Sequence, residues 1–138
     1  MPDPKLEAAY RATDYHVTGA PNGRFVIRVG EMCVDLEELL FDEVEFDWAY
    51  LTACNPGSVR LTAEENDRRT AELREVLNSR WPRRYEGFSA ASDGAWQEPS
   101  FLVLGIDEAE AVGLGRRFGQ NAIVAGRVGE PARLVWVE

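Results

Sequence analysis

The 138 residues read as an α+β protein, and three observations carry that reading. Residues 62–80 and 107–117 each open with a helix-starting box and continue with apolar residues at helical spacing. Residues 48–54 read as a strand with Ala49, Leu51 and Ala53 on one face, and residues 100–106 are almost wholly apolar, as a strand buried on both faces would be. From residue 48 the predicted order is strand, helix, strand, strand, helix, strand. That is the split βαβ order of a ferredoxin-like two-layer sandwich, with a mixed, mostly antiparallel sheet and helices on one face. An N-terminal hairpin and a C-terminal strand extend the sheet. The length suits one α+β domain over residues 1–138, since domains run to roughly 100–150 residues.

The first helix is predicted over residues 4–12, with Leu6, Ala9 and Tyr10 on one face. A strand at 15–18, the turn Gly19-Ala20-Pro21-Asn22-Gly23 and a strand at 25–29 make a hairpin. Residues 31–47 hold eight acids and no base, while Leu36, Leu39 and Leu40 allow a short helix. A solvated acidic face is the favoured reading of this block, and a site for a basic partner or metal ions is the other. Trp48, Tyr50, Thr52 and Cys54 share one face of the next strand. Asn55-Pro56-Gly57-Ser58 must turn, because Pro lacks a donor and Gly relieves the backbone. Thr62 and Glu65 form a capping box, and Ala63, Asn66, Thr70, Leu73 and Leu77 follow on one helical face. Pro82 sets the end of that helix near Arg80. A strand at 81–88 and a loop at 89–96 come next. After the apolar strand at 100–106, Asp107 and Glu110 box a helix whose last turn holds Arg116 and Arg117, with Gly119 at its C-terminal stop. Strands at 121–126 and 134–137 complete the chain.

Composition excludes several function classes. Twenty-four acids against fifteen bases give a net charge of −9, which repels a phosphate backbone and disfavours nucleic acid as a partner. Arg80-Trp81-Pro82-Arg83-Arg84-Tyr85 interleaves bases with aromatics, but it also falls at a helix C-terminus, where Arg is favourable anyway. Fourteen of the fifteen bases are Arg, and coding bias is the plain explanation. No apolar run approaches the roughly 18 residues of a membrane span, and the N-terminus lacks a signal-peptide pattern. Cys33 and Cys54 are the two cysteines and His16 the one histidine. That leaves no disulfide framework, no metal site and no serine triad, and it points to reduced thiols in the cytoplasm. No motif calls for a cofactor, and there is no phosphate-binding loop.

Three polar clusters stand out from surface decoration. Asn55-Pro56-Gly57-Ser58 precedes a helix N-terminus, a place that suits an anion. Glu65 is accounted for by its capping box, whereas Asn66 lies on the sheet-facing stripe. Its amide must therefore tether the Asn55 loop or meet a ligand. Trp96-Gln97-Glu98-Pro99-Ser100 stands at the mouth of a buried strand. A carboxylate there has a raised pKa and serves as acid or base, or it pairs with Arg60, Arg68 or Arg69; the salt bridge is the favoured reading. Phe118-Gly119-Gln120-Asn121 is a helix stop, or two amides that read a ligand's donors and acceptors. The clusters need not meet, because the start of the Asn121 strand joins the others only under certain strand pairings.

Thr52-Ala53-Cys54-Asn55-Pro56-Gly57-Ser58, Glu65-Asn66 with Arg69, Trp96-Gln97-Glu98-Pro99-Ser100-Phe101 and Phe118-Gly119-Gln120-Asn121-Ala122-Ile123 occur in this order. The set resembles small bacterial proteins grouped as domain of unknown function 3293, over about residues 10–126. Cys54 departs from the aromatic residue usual before the turn. The resemblance implies a bacterial protein and no particular activity, and it supports treating the three clusters as one set.

Two functions compete. The favoured one is a noncatalytic binding or interaction module, using the acidic block for a basic protein partner or a sheet edge for a second copy. The other is a binding protein or enzyme for a nucleotide or other anionic metabolite. Asn55, Ser58, Asn66, Arg69, Glu98, Gln120 and Asn121 would form its site. Arg69 would meet the anion, Asn66, Gln120 and Asn121 would orient the ligand, and Glu98 would be the acid or base.

Overall fold

Both boxed helices start where their sequences predict. Thr62 caps the helix Ala63–Arg80 and Asp107 caps Glu108–Arg117, each with the reciprocal bond from the glutamate three residues on. Gly119, at a φ of 72°, stops the second of them. A computed structural model describes residues 3–94 and 96–137. Among these the helices are α1 (Pro4–Arg11), α2 (Val34–Glu43), α3 (Ala63–Arg80) and α4 (Glu108–Arg117). The strands are β1 (Thr13–Val17), β2 (Phe25–Ile27), β3 (Asp47–Leu51), β4 (Arg84–Ala91), β5 (Gln97–Leu104), β6 (Ala122–Arg127) and β7 (Arg133–Trp136). A 3₁₀ turn covers Pro56–Ser58.

The strands form one sheet in the order β2-β1-β4-β5-β3-β6-β7. Every adjacent pair among the described strands is antiparallel, so the mixed sheet expected from sequence is corrected. The hairpin and the last strand do extend the two ends of the sheet. β4 runs on to Ala91, and the loop expected over 89–96 contracts to a turn at residues 92–94, with residue 95 outside the described residues. Pro99 lies inside β5, opposite Phe88, and its carbonyl accepts the Thr52 hydroxyl at 2.9 Å.

Helices lie on both faces, which corrects the expectation of one. α3 and α4 cover one face, where Leu73, Leu77, Ala111 and Leu114 pack on Ala49, Leu51, Phe101, Val103 and Ile123. α2 covers the other, where Leu36, Leu39 and Leu40 pack among Trp48, Tyr50, Leu102, Leu104 and Val124. The reason is visible in β3 and β5. Their alternate residues are apolar on both sides, so each side must be shielded from water.

The sheet curls around the α2 side. Beyond β2, the Gly30 amide donates to the Ala132 carbonyl at 2.8 Å, and the Ala132 amide donates to the Glu31 carbonyl at 3.2 Å. The two ends of the sheet are thereby tied to each other by backbone bonds that a second copy would otherwise compete for. α1 crosses one mouth of the curl, where Tyr10 meets Trp136 of β7 edge-on at 5.8 Å. No described helix is long and apolar enough to cross a membrane.

Candidate functional site

β3 lies between β5 and β6 and is antiparallel to both, so the end of β3 adjoins the starts of its two neighbours. This pairing brings the three polar clusters to one end of the sheet. The chain leaves β3 through Asn55, Gly57 and Ser58, all with positive φ (49°, 64° and 63°). Asn tolerates that left-handed region better than most residues. The turn folds against α4's stop, where the Gly57 amide donates to the Gly119 carbonyl at 2.7 Å. A Cβ on Gly119 would sit 2.8 Å from Pro56 Cβ, so only glycine permits the approach.

Asn55 is the hub. Its Oδ1 accepts from the Leu61 amide at 2.9 Å and from Asn66 Nδ2 at 2.9 Å. Its own amide donates to Asn66 Oδ1 at 3.0 Å, so the two asparagines brace each other. Its Nδ2 donates to Glu98 Oε2 at 2.6 Å. Asn66 is thus the tether of the Asn55 loop. Glu98 takes an amide where sequence favoured an arginine, and no ion pair among the described residues involves it. Burial pushes the Glu98 carboxyl upward, and the Asn55 hydrogen bond opposes that shift in part.

The other expected residues act mainly as braces. Arg69 donates from Nε to the Ala53 carbonyl at 2.6 Å and from its terminal nitrogen to the Phe118 carbonyl. Gln120 Nε2 donates to the Cys54 carbonyl at 3.0 Å, and Asn121 Nδ2 donates to Ser58 Oγ at 3.0 Å. Together these bonds clamp the β3 exit to the α4–β6 connection.

A cavity of about 500 Å³ opens at this end. Asn55, Ser58, Asn66, Glu98 and Gln120 line it, whereas Arg69 and Asn121 do not. The rest of the wall comes from residues that sequence reasoning did not tie to the site: Tyr10 of α1, Tyr15 of β1 and Tyr50 of β3, with the buried hydroxyls of Thr13, Ser89 and Ser100. Their signal was present in the alternation Thr13-Tyr15-Val17 and in two serines set within strands that are otherwise largely apolar. Trp96 and Arg60 also reach the wall. Tyr15 and Tyr50 meet edge-on at 5.4 Å. Their hydroxyls donate to the Tyr10 carbonyl at 2.9 Å and the His16 carbonyl at 2.6 Å, which fixes both rings. Burial holds both phenols well above their ordinary range, so they stay neutral. Cys54, also in the wall, rests 3.6 Å from Thr70 Oγ1, and burial raises its thiol.

Other sequence features lie elsewhere. The His16 ring stacks on Phe88 at 4.4 Å, away from the cavity. Arg80 pairs with Glu110 at 3.1 Å and Arg83 with Glu45 at 3.3 Å, so bases of the aromatic–arginine segment already meet acids. Among the described residues, no three His, Cys, Asp or Glu side chains gather as metal ligands would.

No curated protein and no solved structure matches the chain. A family model described as "Protein of unknown function (DUF3293)" matches residues 51–123. That span is narrower than the 10–126 of the sequence resemblance. It holds all seven expected site residues, from Asn55 to Asn121, but not Tyr10, Thr13, Tyr15 or Tyr50. The match covers more than half of the chain, and the protein belongs to the DUF3293 family.

Proposed function

We propose that the protein is a noncatalytic binding module whose cavity at the α1 end of the curled sheet holds a small organic molecule. One observation carries the reading: a cavity of ligand size whose wall includes a half-buried carboxylate with no ion-pair partner among the described residues. Asn55, Ser58, Asn66, Glu98 and Gln120 supply the polar wall, with Arg69 and Asn121 holding it in shape. A catalytic version would use Glu98 as acid or base, because burial raises its pKa toward neutrality. The order β4-β5-β3-β6, with α3 and α4 on one face, supports a ferredoxin-like core in a single domain over residues 1–138. A bacterial cytoplasm belongs to the same reading, supported by two free thiols. A thermal-shift screen tests it. A ligand at about 100 times its Kd adds roughly 2.7 kcal/mol, a rise of several degrees. A flat screen across metabolite classes would sink the reading.

Glu98 gives a check that needs no ligand. Its pKa is raised in the folded state, so the contribution of its proton to stability is complete below the ordinary Glu value. That contribution is lost as the pH rises through the raised value. Glu98→Gln keeps an oxygen for Asn55 Nδ2 and never ionises. The variant is expected to melt above wild type at about pH 8, with the difference vanishing near pH 4. Equal melting at both pH values would show that ionised Glu98 carries no cost.

A second reading rests on the outer face of α2. Val34, Phe41 and Val44 are 71%, 82% and 74% exposed, and Met32 and Phe46 beside them are also uncovered. Glu31, Asp35, Glu38 and Asp42 rim this surface without an ion pair among the described residues. Apolar centre and acidic rim together suit a basic amphipathic segment of a protein partner, and the acids disfavour a second copy. Phe41→Ser is expected to change stability by no more than about 0.5 kcal/mol. It should also abolish binding of a lysine–leucine amphipathic helix measured by fluorescence anisotropy. Asp35, Glu38 and Asp42 are the acids to neutralise, since Glu43 accepts from Tyr85 and Glu45 pairs with Arg83. Binding that ignores Phe41 and salt would count against this surface.

A further inference from the structure

Resting on the cavity as a ligand site, we infer that the ligand carries a positively charged nitrogen, an amine or guanidinium, on a flat or apolar body. Three observations replace the anion that the sequence suggested. The first is the fate of the anion-binding groups. Arg69 is spent on the carbonyls of Ala53 and Phe118, and Arg60 is an exposed residue of the wall. Most amides around the turn are occupied as well. Asn55 donates to Asn66, Gly57 to Gly119, Ser58 to Asn55, Val59 to Pro56, Leu61 to Asn55 and Thr62 to Glu65. An anion would find few donors left to it here.

The second observation is Glu98. Its carboxylate lines the cavity, receives one amide from Asn55 and meets no cation among the described residues. A half-buried negative charge repels an anion and attracts a cation more strongly than the same charge in water. The third is the ring set. Tyr10, Tyr15, Tyr50 and Trp96 surround the same space, and aromatic rings favour cations over anions. The −9 net charge adds attraction at long range.

The test titrates the full chain with three probes of one shape: 2-phenylethylamine, 2-phenylethanol and 3-phenylpropionate. The amine is expected to bind at least about tenfold more tightly than the alcohol, and the carboxylate most weakly. In Glu98→Gln the amine should lose at least about tenfold while the alcohol keeps its affinity. The ranking of the three probes on the unaltered chain keeps the test decisive should the Glu98 variant fail to fold. A carboxylate that binds as tightly as the amine, or amine binding indifferent to Glu98, overturns the cation inference and leaves the cavity reading standing. If none of the three binds at up to about 10 mM, weaker than any useful affinity, both readings fall.

Discussion

Gly87→Ala is expected to destabilise the protein by more than about 4 kcal/mol, enough to unfold much of it at ordinary temperature. Gly87 sits in β4, opposite Val17 of β1 and Ser100 of β5. A Cβ there would lie 1.9 Å from the His16 carbonyl oxygen and 3.0 Å from the Tyr50 hydroxyl. Neither neighbour can yield cheaply. The His16 carbonyl belongs to a strand paired on both sides, and it also accepts the Tyr50 hydroxyl at 2.6 Å. Relief would require β1 to separate from β4, and the Tyr15–Tyr50 pair would then leave the cavity wall. Gly113→Ala is the control. Gly113 lies within α4 with nothing near the place of its Cβ, so alanine there should add about 0.5–1 kcal/mol of stability. Denaturant unfolding of the two variants reads both effects. A cost at Gly87 below about 1 kcal/mol would mean that β1 does not cross β4 this closely.

What the sequence disclosed and what it withheld divide along contact range. Thr62, Glu65, Asp107, Glu110 and Gly119 were legible because caps and stops are settled within a few residues. The Asn55–Ser58 turn was legible for the same reason. The curl was not. It depends on bonds such as Gly30 to Ala132, about a hundred residues apart in the chain, which no local pattern encodes. Missing the curl hid three things at once: α2 on the inner face, α1 across the mouth, and the tyrosines of the N-terminal half in the wall. The site residues show a subtler gap. Residue type brought forward amides and a carboxylate that the fold gathers at one end of the sheet, but not the partners they face. Arg69 could meet an anion by residue type, yet its guanidinium reaches the carbonyls of Ala53 and Phe118, just past the ends of β3 and α4. Glu98 was expected to pair with an arginine, yet Asn55 stands nearer. Residue type shows what bonds a side chain can make, and only the fold shows which partner is in reach.

Asn55→Ala is expected to cost roughly 3 kcal/mol, because one side chain serves three partners. It accepts from Leu61 and Asn66 and donates to Glu98, and the residue also occupies a left-handed φ of 49° that alanine resists. Loss of its Nδ2 leaves Glu98 half-buried without the donor that Asn55 supplies, so the cost falls on the wall as well as the turn. Asn55→Asp separates the two halves of this argument. The aspartate keeps the oxygens that Leu61 and Asn66 need, but it sets a second carboxyl where the donor to Glu98 stood, at 2.6 Å. Two carboxylates this close cannot both ionise cheaply, so their shared titration moves upward. The Asp variant should therefore be close to wild type near pH 4 and fall away steadily toward pH 8, whereas the Ala variant should be weak throughout. Parallel urea unfolding curves across that range decide it. If the Asp variant shows no extra loss on the alkaline side, Glu98 does not face Asn55, and the carboxylate on which the cavity's chemistry depends points elsewhere.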